Sequence, residues 1–102
     1  MENLTKEIIL ETLHQNRKII RCFVVNKLIL FGSFARDEQK ETSDIDFLVE
    51  FEENKGNYDD FIKLQIFLED TFNRKIDLVE SEYVREELKS YIFGGKLYEA
   101  RV

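Results

Sequence analysis

The chain has 102 residues, a length at which one hydrophobic core forms and a second rarely does, so a single domain over residues 1–102 is expected. Its 43% hydrophobic and 35% charged composition suits a packed core under a water-soluble surface, while the net charge of -6 argues against a dedicated nucleic-acid binder, which needs clustered Lys and Arg. The single cysteine, Cys22, cannot close an intrachain disulfide, no apolar run approaches the roughly 20 residues of a membrane span, and the N-terminus carries no signal-peptide pattern; the expected compartment is the cytoplasm, with no membrane partner.

In chain order, Ile9, Leu13 and Ile20, widened by Ile8 and Leu10, oppose Lys6, Glu7, Glu11 and Arg17, which predicts an amphipathic helix over about residues 5–20, ending near Cys22. Residues 23–26 read as a short apolar connection and residues 27–31 as a buried strand stopped by Gly32. Residues 33–37 form one helical turn in this reading, and the polar residues 39–43 form a loop. Residues 44–51 alternate as a strand, with Ile45, Phe47, Val49 and Phe51 facing one way and Asp44, Asp46, Leu48 and Glu50 the other.

A second helix is predicted over residues 58–72, where Phe61, Leu64, Leu68 and Phe72 keep the helical period, followed by a turn and a third strand over residues 76–79. A third helix is expected from Glu82 to about Ser90, stopped by Gly94-Gly95. Residues 96–100 fit either a short edge strand or a frayed end. This order predicts the α/β (α+β) class: a small mixed sheet with helices packed on one face, leaving the aspartate face open.

The carboxylates carry the chemistry. Alternate strand positions put Asp44 and Asp46 roughly 7 Å apart on one face, close enough to share an ion. Two facing anions repel, and a hard divalent cation with oxygen ligands relieves them; Mg2+ suits one or two carboxylates plus substrate phosphates. Asp77, embedded in the apolar "KIDLVE", is a third candidate, since a charge there without a partner is costly. Three carboxylates can hold two ions about 4 Å apart, the geometry of in-line phosphoryl displacement. Upstream, Gly32-Ser33 ends a strand and opens a helical turn, leaving backbone N–H groups and a hydroxyl to face an anion such as a nucleoside triphosphate, with Arg36 one turn on.

Each part has a plainer reading. A Gly-Ser after a strand is commonly only a turn, and an Asp-x-Asp commonly a loop or helix cap; the whole set, at this spacing, rarely arises without function. His14 reads as a half-buried or solvent-facing residue without chemistry, and Cys22 as a small buried hydrophobe. Glu50 shares the aspartate face but lies roughly 13 Å from Asp46, too far to join it. Aromatic residues within 58–72 read as core, whereas Tyr83, Tyr91 and Tyr98 fall outside a period and are candidate interface residues.

The segments "LFGSFAR", "SDIDFLVEF" and "KIDLVE" resemble the Gly-Ser-x10-Asp-x-Asp signature and third-aspartate strand of the DNA polymerase beta-like nucleotidyltransferases, specifically their minimal nucleotidyltransferase (MNT) members. The resemblance runs from about Phe23 to the end of the chain, and the first helix fits in position. It implies that Asp44, Asp46 and Asp77 bind Mg2+, that Asp77 helps activate the acceptor hydroxyl, and that Gly32, Ser33, Arg36 and Ser43 bind ATP. At Asp37 many relatives have glycine, so this chain adds a negative charge beside the implied phosphate turn.

The resemblance further implies a partner, a HEPN-domain ribonuclease toxin. The implied reaction moves AMP from ATP to a tyrosine hydroxyl of that toxin, making this chain its antitoxin. Two other readings stand beside it: a module that neutralises the partner by contact alone, and transfer to a small molecule or RNA end. Assembly is expected as a hetero-oligomer with the toxin or as a homodimer through the terminal segment.

Overall fold

Four strands form one mixed sheet in the order β3-β2-β1-β4 in a computed structural model that describes residues 3–83 and 95–102. β1 (Val25–Phe31) and β2 (Ile45–Phe51) are antiparallel, β2 and β3 (Ile76–Glu80) are parallel, and β4 (Tyr98–Glu99) pairs antiparallel with the other side of β1. The parallel pair requires a crossover, and α4 (Tyr58–Phe72) supplies it. Four helices complete the described fold: α1 (Lys6–Gln15), α2 (Arg17–Arg21), the single-turn α3 (Gly32–Ala35) and α4.

Alternation decides the core. Ile45, Phe47, Val49 and Phe51 of β2 bury on one face with Leu28 and Leu30 of β1, Ile76 and Leu78 of β3, and Ile9, Leu13, Ile20, Leu64 and Leu68 of the helices. α4 occupies the predicted span because its ends are specified locally. Asn57 accepts from the Asp60 N–H at 3.0 Å while the Asp60 carboxylate accepts from the Asn57 N–H at 3.2 Å, a reciprocal cap, and Asn73 ends the helix in a left-handed conformation.

The first helix departs from expectation. It is interrupted at Asn16, whose side-chain amide donates to the Thr12 carbonyl at 2.8 Å, so local side-chain bonding competes with continuation and α2 restarts at Arg17. β1 starts at Val25, two residues earlier than predicted, because Val25 pairs with Phe51 across a register shift that leaves Asn26 bulged; Asn26 then donates to Glu50 at 2.8 Å. Cys22 is exposed rather than buried; it caps the C-terminus of α2, and its thiol donates to the Lys18 carbonyl at 3.3 Å.

The second sheet face is not wholly open. Leu48 and Phe31 are buried there with Ile29, Val79 and Leu97 packed against them, because the alternation that exposes Asp46 also puts Leu48 on that side. Residues 96–100 resolve as an edge: β4 pairs with Ile29 and Leu30, and the Ala100 N–H donates to the Leu28 carbonyl at 2.8 Å. His14 is half-buried, with Nδ1 3.0 Å from the Arg101 carbonyl. Of the expected third helix, Ser81–Tyr83 forms a 3-10 turn; its remainder, Tyr91 and Gly94 lie outside the described residues. Among the described residues no helix is long and apolar enough to cross a membrane.

The core assignment predicts that Leu68→Ala costs about 2 to 5 kcal/mol in urea unfolding, as removal of a fully buried side chain does. Ile66→Ala, two residues away but 51% exposed, is expected to cost under about 1 kcal/mol.

Candidate functional site

The register of the sheet assembles the site. Asp46 pairs with Phe31 on one side and with Asp77 on the other, so a single row crosses β1, β2 and β3 at their functional ends. Asp44 lies two residues before Asp46, just ahead of β2, and is half-buried as Asp46 is; Asp77 is exposed on the edge strand. The adjacency of Asp77 to the Asp44–Asp46 strand, which no spacing in the sequence specifies, follows from the parallel pairing.

The Asp46 carboxyl is pushed up from 3.8 to about 6. Burial is the largest cause, followed by the charge of Asp77, a hydrogen bond with Asp77, and the charge of Asp44; Arg36 acts in the opposite sense. Asp44, Asp46 and Asp77 therefore share one electrostatic neighbourhood. Among the described residues no three His, Cys, Asp or Glu side chains already stand in metal-ligand geometry. The residues nonetheless fit a hard divalent cation, because oxygen donors and a surplus of poorly solvated negative charge are what such an ion relieves.

Phe31 leads directly into Gly32 at the start of α3. Glycine is required there twice over. Its φ of +76° is left-handed, and a Cβ at this position would collide with Oδ2 of Asp46, with Cγ at 2.8 Å. The turn that presents α3 and the carboxylate of β2 are thus in van der Waals contact. Ser33 follows, half-buried, in a first helical turn whose N–H groups have no acceptor within the helix. Arg36 caps α3, donates from Nε to Glu38 at 3.0 Å, and lies near enough to Asp46 to favour its ionised form.

Asp37 has a φ of +58°, which explains why glycine suits this position and why Asp, tolerant of that region, can replace it. Its carboxylate is 2.6 Å from Nζ of Lys6, which also lies 5.1 Å from the Tyr98 ring centroid. The Asp37 charge beside the α3 turn is accordingly paired. Ser43 sits in the loop before Asp44, where its hydroxyl accepts from the Lys40 N–H at 2.8 Å and its own N–H returns to the Lys40 carbonyl. Glu50 is held by Asn26, away from the cluster.

Two contributors escaped the sequence reading. Lys6 was visible only as polar-face charge, and Arg74 only as part of a turn; Arg74 donates to both the Glu41 and Ser43 carbonyls. Neither has a spacing signal, because each acts on segments more than 30 residues away.

A family model described as a nucleotidyltransferase domain matches residues 6–98. The protein adenylyltransferase MntA of Thermococcus cleftensis is 40% identical over 99 residues, covering 96% of this chain and 99% of its own. A solved structure of a candidate minimal nucleotidyltransferase is similar at a TM-score of 0.69 and 27% identity, over 94% of this chain and 97% of that one. A chain from the Shewanella oneidensis complex of a tri-AMPylated HEPN toxin with its MNT antitoxin is similar at a TM-score of 0.62 over 87% of this chain and 68% of its own; at 18% identity this is a likeness of fold. The four-stranded mixed sheet is the minimal nucleotidyltransferase fold.

Two stability measurements check the geometry. Gly32→Ala is expected to cost about 2 kcal/mol or more, since the new methyl meets Asp46 and the left-handed φ disfavours any side chain. Asp46→Asn is expected to stabilise the metal-free protein at pH 7. Between 3.8 and about 6 the folded state holds more protons than the unfolded chain, so stability falls as pH rises through that window. Solvent screening at this half-buried carboxyl leaves a gain of about 1 kcal/mol, which disappears below pH 4.

Proposed function

Because the chain belongs to the nucleotidyltransferase domain family, we propose that it is a Mg-dependent protein adenylyltransferase that moves AMP from ATP to a tyrosine hydroxyl of a HEPN ribonuclease toxin, acting as its antitoxin. The observation that carries the chemistry is the grouping of Gly32, Asp46 and Asp77, in which the turn glycine lies against one carboxylate and the parallel register brings a second beside it. The acceptor is supported by the relatives: MntA of T. cleftensis is a protein adenylyltransferase, and the Shewanella complex pairs an AMPylated HEPN toxin with an MNT antitoxin. The cytoplasm is the proposed place of action, where an exposed free thiol such as Cys22 persists.

Asp44, Asp46 and Asp77 would hold Mg2+. When bound, the metal neutralises and polarises the phosphate oxygens. Backbone N–H groups of the α3 turn and the Ser33 hydroxyl hold the triphosphate, with Arg36 and Ser43 flanking it. Asp77, on the exposed edge strand, takes the proton of the incoming hydroxyl as its oxygen bonds to the α-phosphorus and the bond to pyrophosphate breaks. Pairing of Asp37 with Lys6 keeps its charge from opposing the triphosphate.

Asp44→Asn and Asp46→Asn are each expected to abolish AMP addition to the neighbouring-gene product co-expressed with this chain, read by intact-mass spectrometry, while circular dichroism stays native. Transfer retained by both variants would overturn the assignment, and toxin neutralisation without AMP would favour masking by contact. Ser33→Ala is expected to weaken ATP binding roughly tenfold by calorimetry, the worth of one hydrogen bond to a charged group; unchanged affinity removes Ser33 from the site.

A further inference from the structure

Arg74 touches two of the segments that build the site and belongs to the third. It lies in the turn between α4 and β3, three residues before Asp77. Its Nη1 donates to the Glu41 carbonyl at 2.8 Å and to the Ser43 carbonyl at 2.9 Å, fixing the loop that ends at Asp44. Its guanidinium lies 5.3 Å from the ring centroid of Phe34, the residue after Gly32-Ser33. Phe34 is only 1% exposed, so the guanidinium is braced on a side chain that is itself fixed in the core. Beside it, the Ile45 N–H donates to the Lys75 carbonyl at 3.1 Å and starts the parallel pairing.

We infer that Arg74 is a positioning residue for AMP transfer: it holds the Asp44 loop and the phosphate turn in register with Asp77 without contacting the nucleotide. This rests on the adenylyltransferase reading above. The residues before Asp44 form a loop rather than strand, and a loop has few contacts to hold a carboxylate in place. Two charge-assisted bonds from Nη1 supply that constraint while the flat guanidinium lies over Phe34; a lysine ammonium on its flexible stem offers donors but no planar face to hold them between ring and loop. A displacement on the order of 1 Å at a reacting group lowers rates by about a hundredfold, which is why a contact outside the site matters to it.

The test compares the full-length chain with Arg74→Lys and Arg74→Ala. For Arg74→Lys, which keeps the charge and the fold, kcat for AMP transfer is expected to fall at least about tenfold while KM for ATP stays within about threefold. Amide exchange over residues 40–46 is expected to accelerate about tenfold with α4 unchanged, and Mn2+ affinity, read by electron paramagnetic resonance, to weaken by a similar factor. Restoration of wild-type kcat by lysine, or a loss confined to KM, overturns the inference. Exchange and Mn2+ affinity do not require turnover. If the wild-type chain transfers no AMP, the adenylyltransferase reading falls on its own, and unchanged exchange and Mn2+ affinity in both variants would then overturn the positioning role.

Discussion

Asp46 stands beside Asp77 because two hydrophobic strands pair in parallel beneath them, and the site depends on that enforced proximity of like charges. On the inward face Ile45, Phe47 and Val49 lie next to Ile76 and Leu78, all buried. A slip of one residue would turn each of these outward, so the register is held by far more apolar burial than the carboxylates oppose. Burial first, and then the neighbouring Asp77 and Asp44 charges, raise the affinity of Asp46 for a proton. Charge placed this way opposes folding rather than assisting it.

The Gly32-Ser33 turn is joined to the carboxylates by contact rather than by a linker. Gly32 lets the chain double back at the end of β1 so closely that Asp46 fills the space a side chain would need. Farther along, Asp37 and Lys6 tie the residue after Arg36 to α1, and Lys6 in turn lies over Tyr98 of β4. The first helix and the last strand therefore both reach the neighbourhood of the site, although neither contributes a proposed catalytic group.

Much of this was legible in the residues. α4 could be read to its ends because its apolar period and the turn after it are local signals; the Asn57-Asp60 cap that the structure adds is local as well. The two aspartates and the Gly-Ser turn were legible for a similar reason, since alternation within one strand and a glycine at its neighbour's end need no tertiary information. What escaped was either a contest between local bonds or a contact between distant segments. The break at Asn16 depends on which side-chain hydrogen bond wins, and Val24 takes a φ of +55°, unfavourable for a β-branched residue, because its carbonyl accepts from Glu52 across the hairpin. Leu48, in phase with Asp46 and Glu50, gave no hint that Phe31 and Leu97 would cover it. Arg74 shows the limit most plainly, as its partners are carbonyls that any sequence would offer.

The order of the strands leaves β3 at the rim of the sheet, and among the described residues nothing pairs with its outer side. A parallel rim strand rich in Ile, Leu and Val is a template for another chain to add itself, which proteins avoid by placing charge there. Asp77 and Glu80 are the charges this rim carries. The Asp77 carboxylate that stands beside Asp46 thus also puts charge on this rim, where it discourages edge-to-edge pairing.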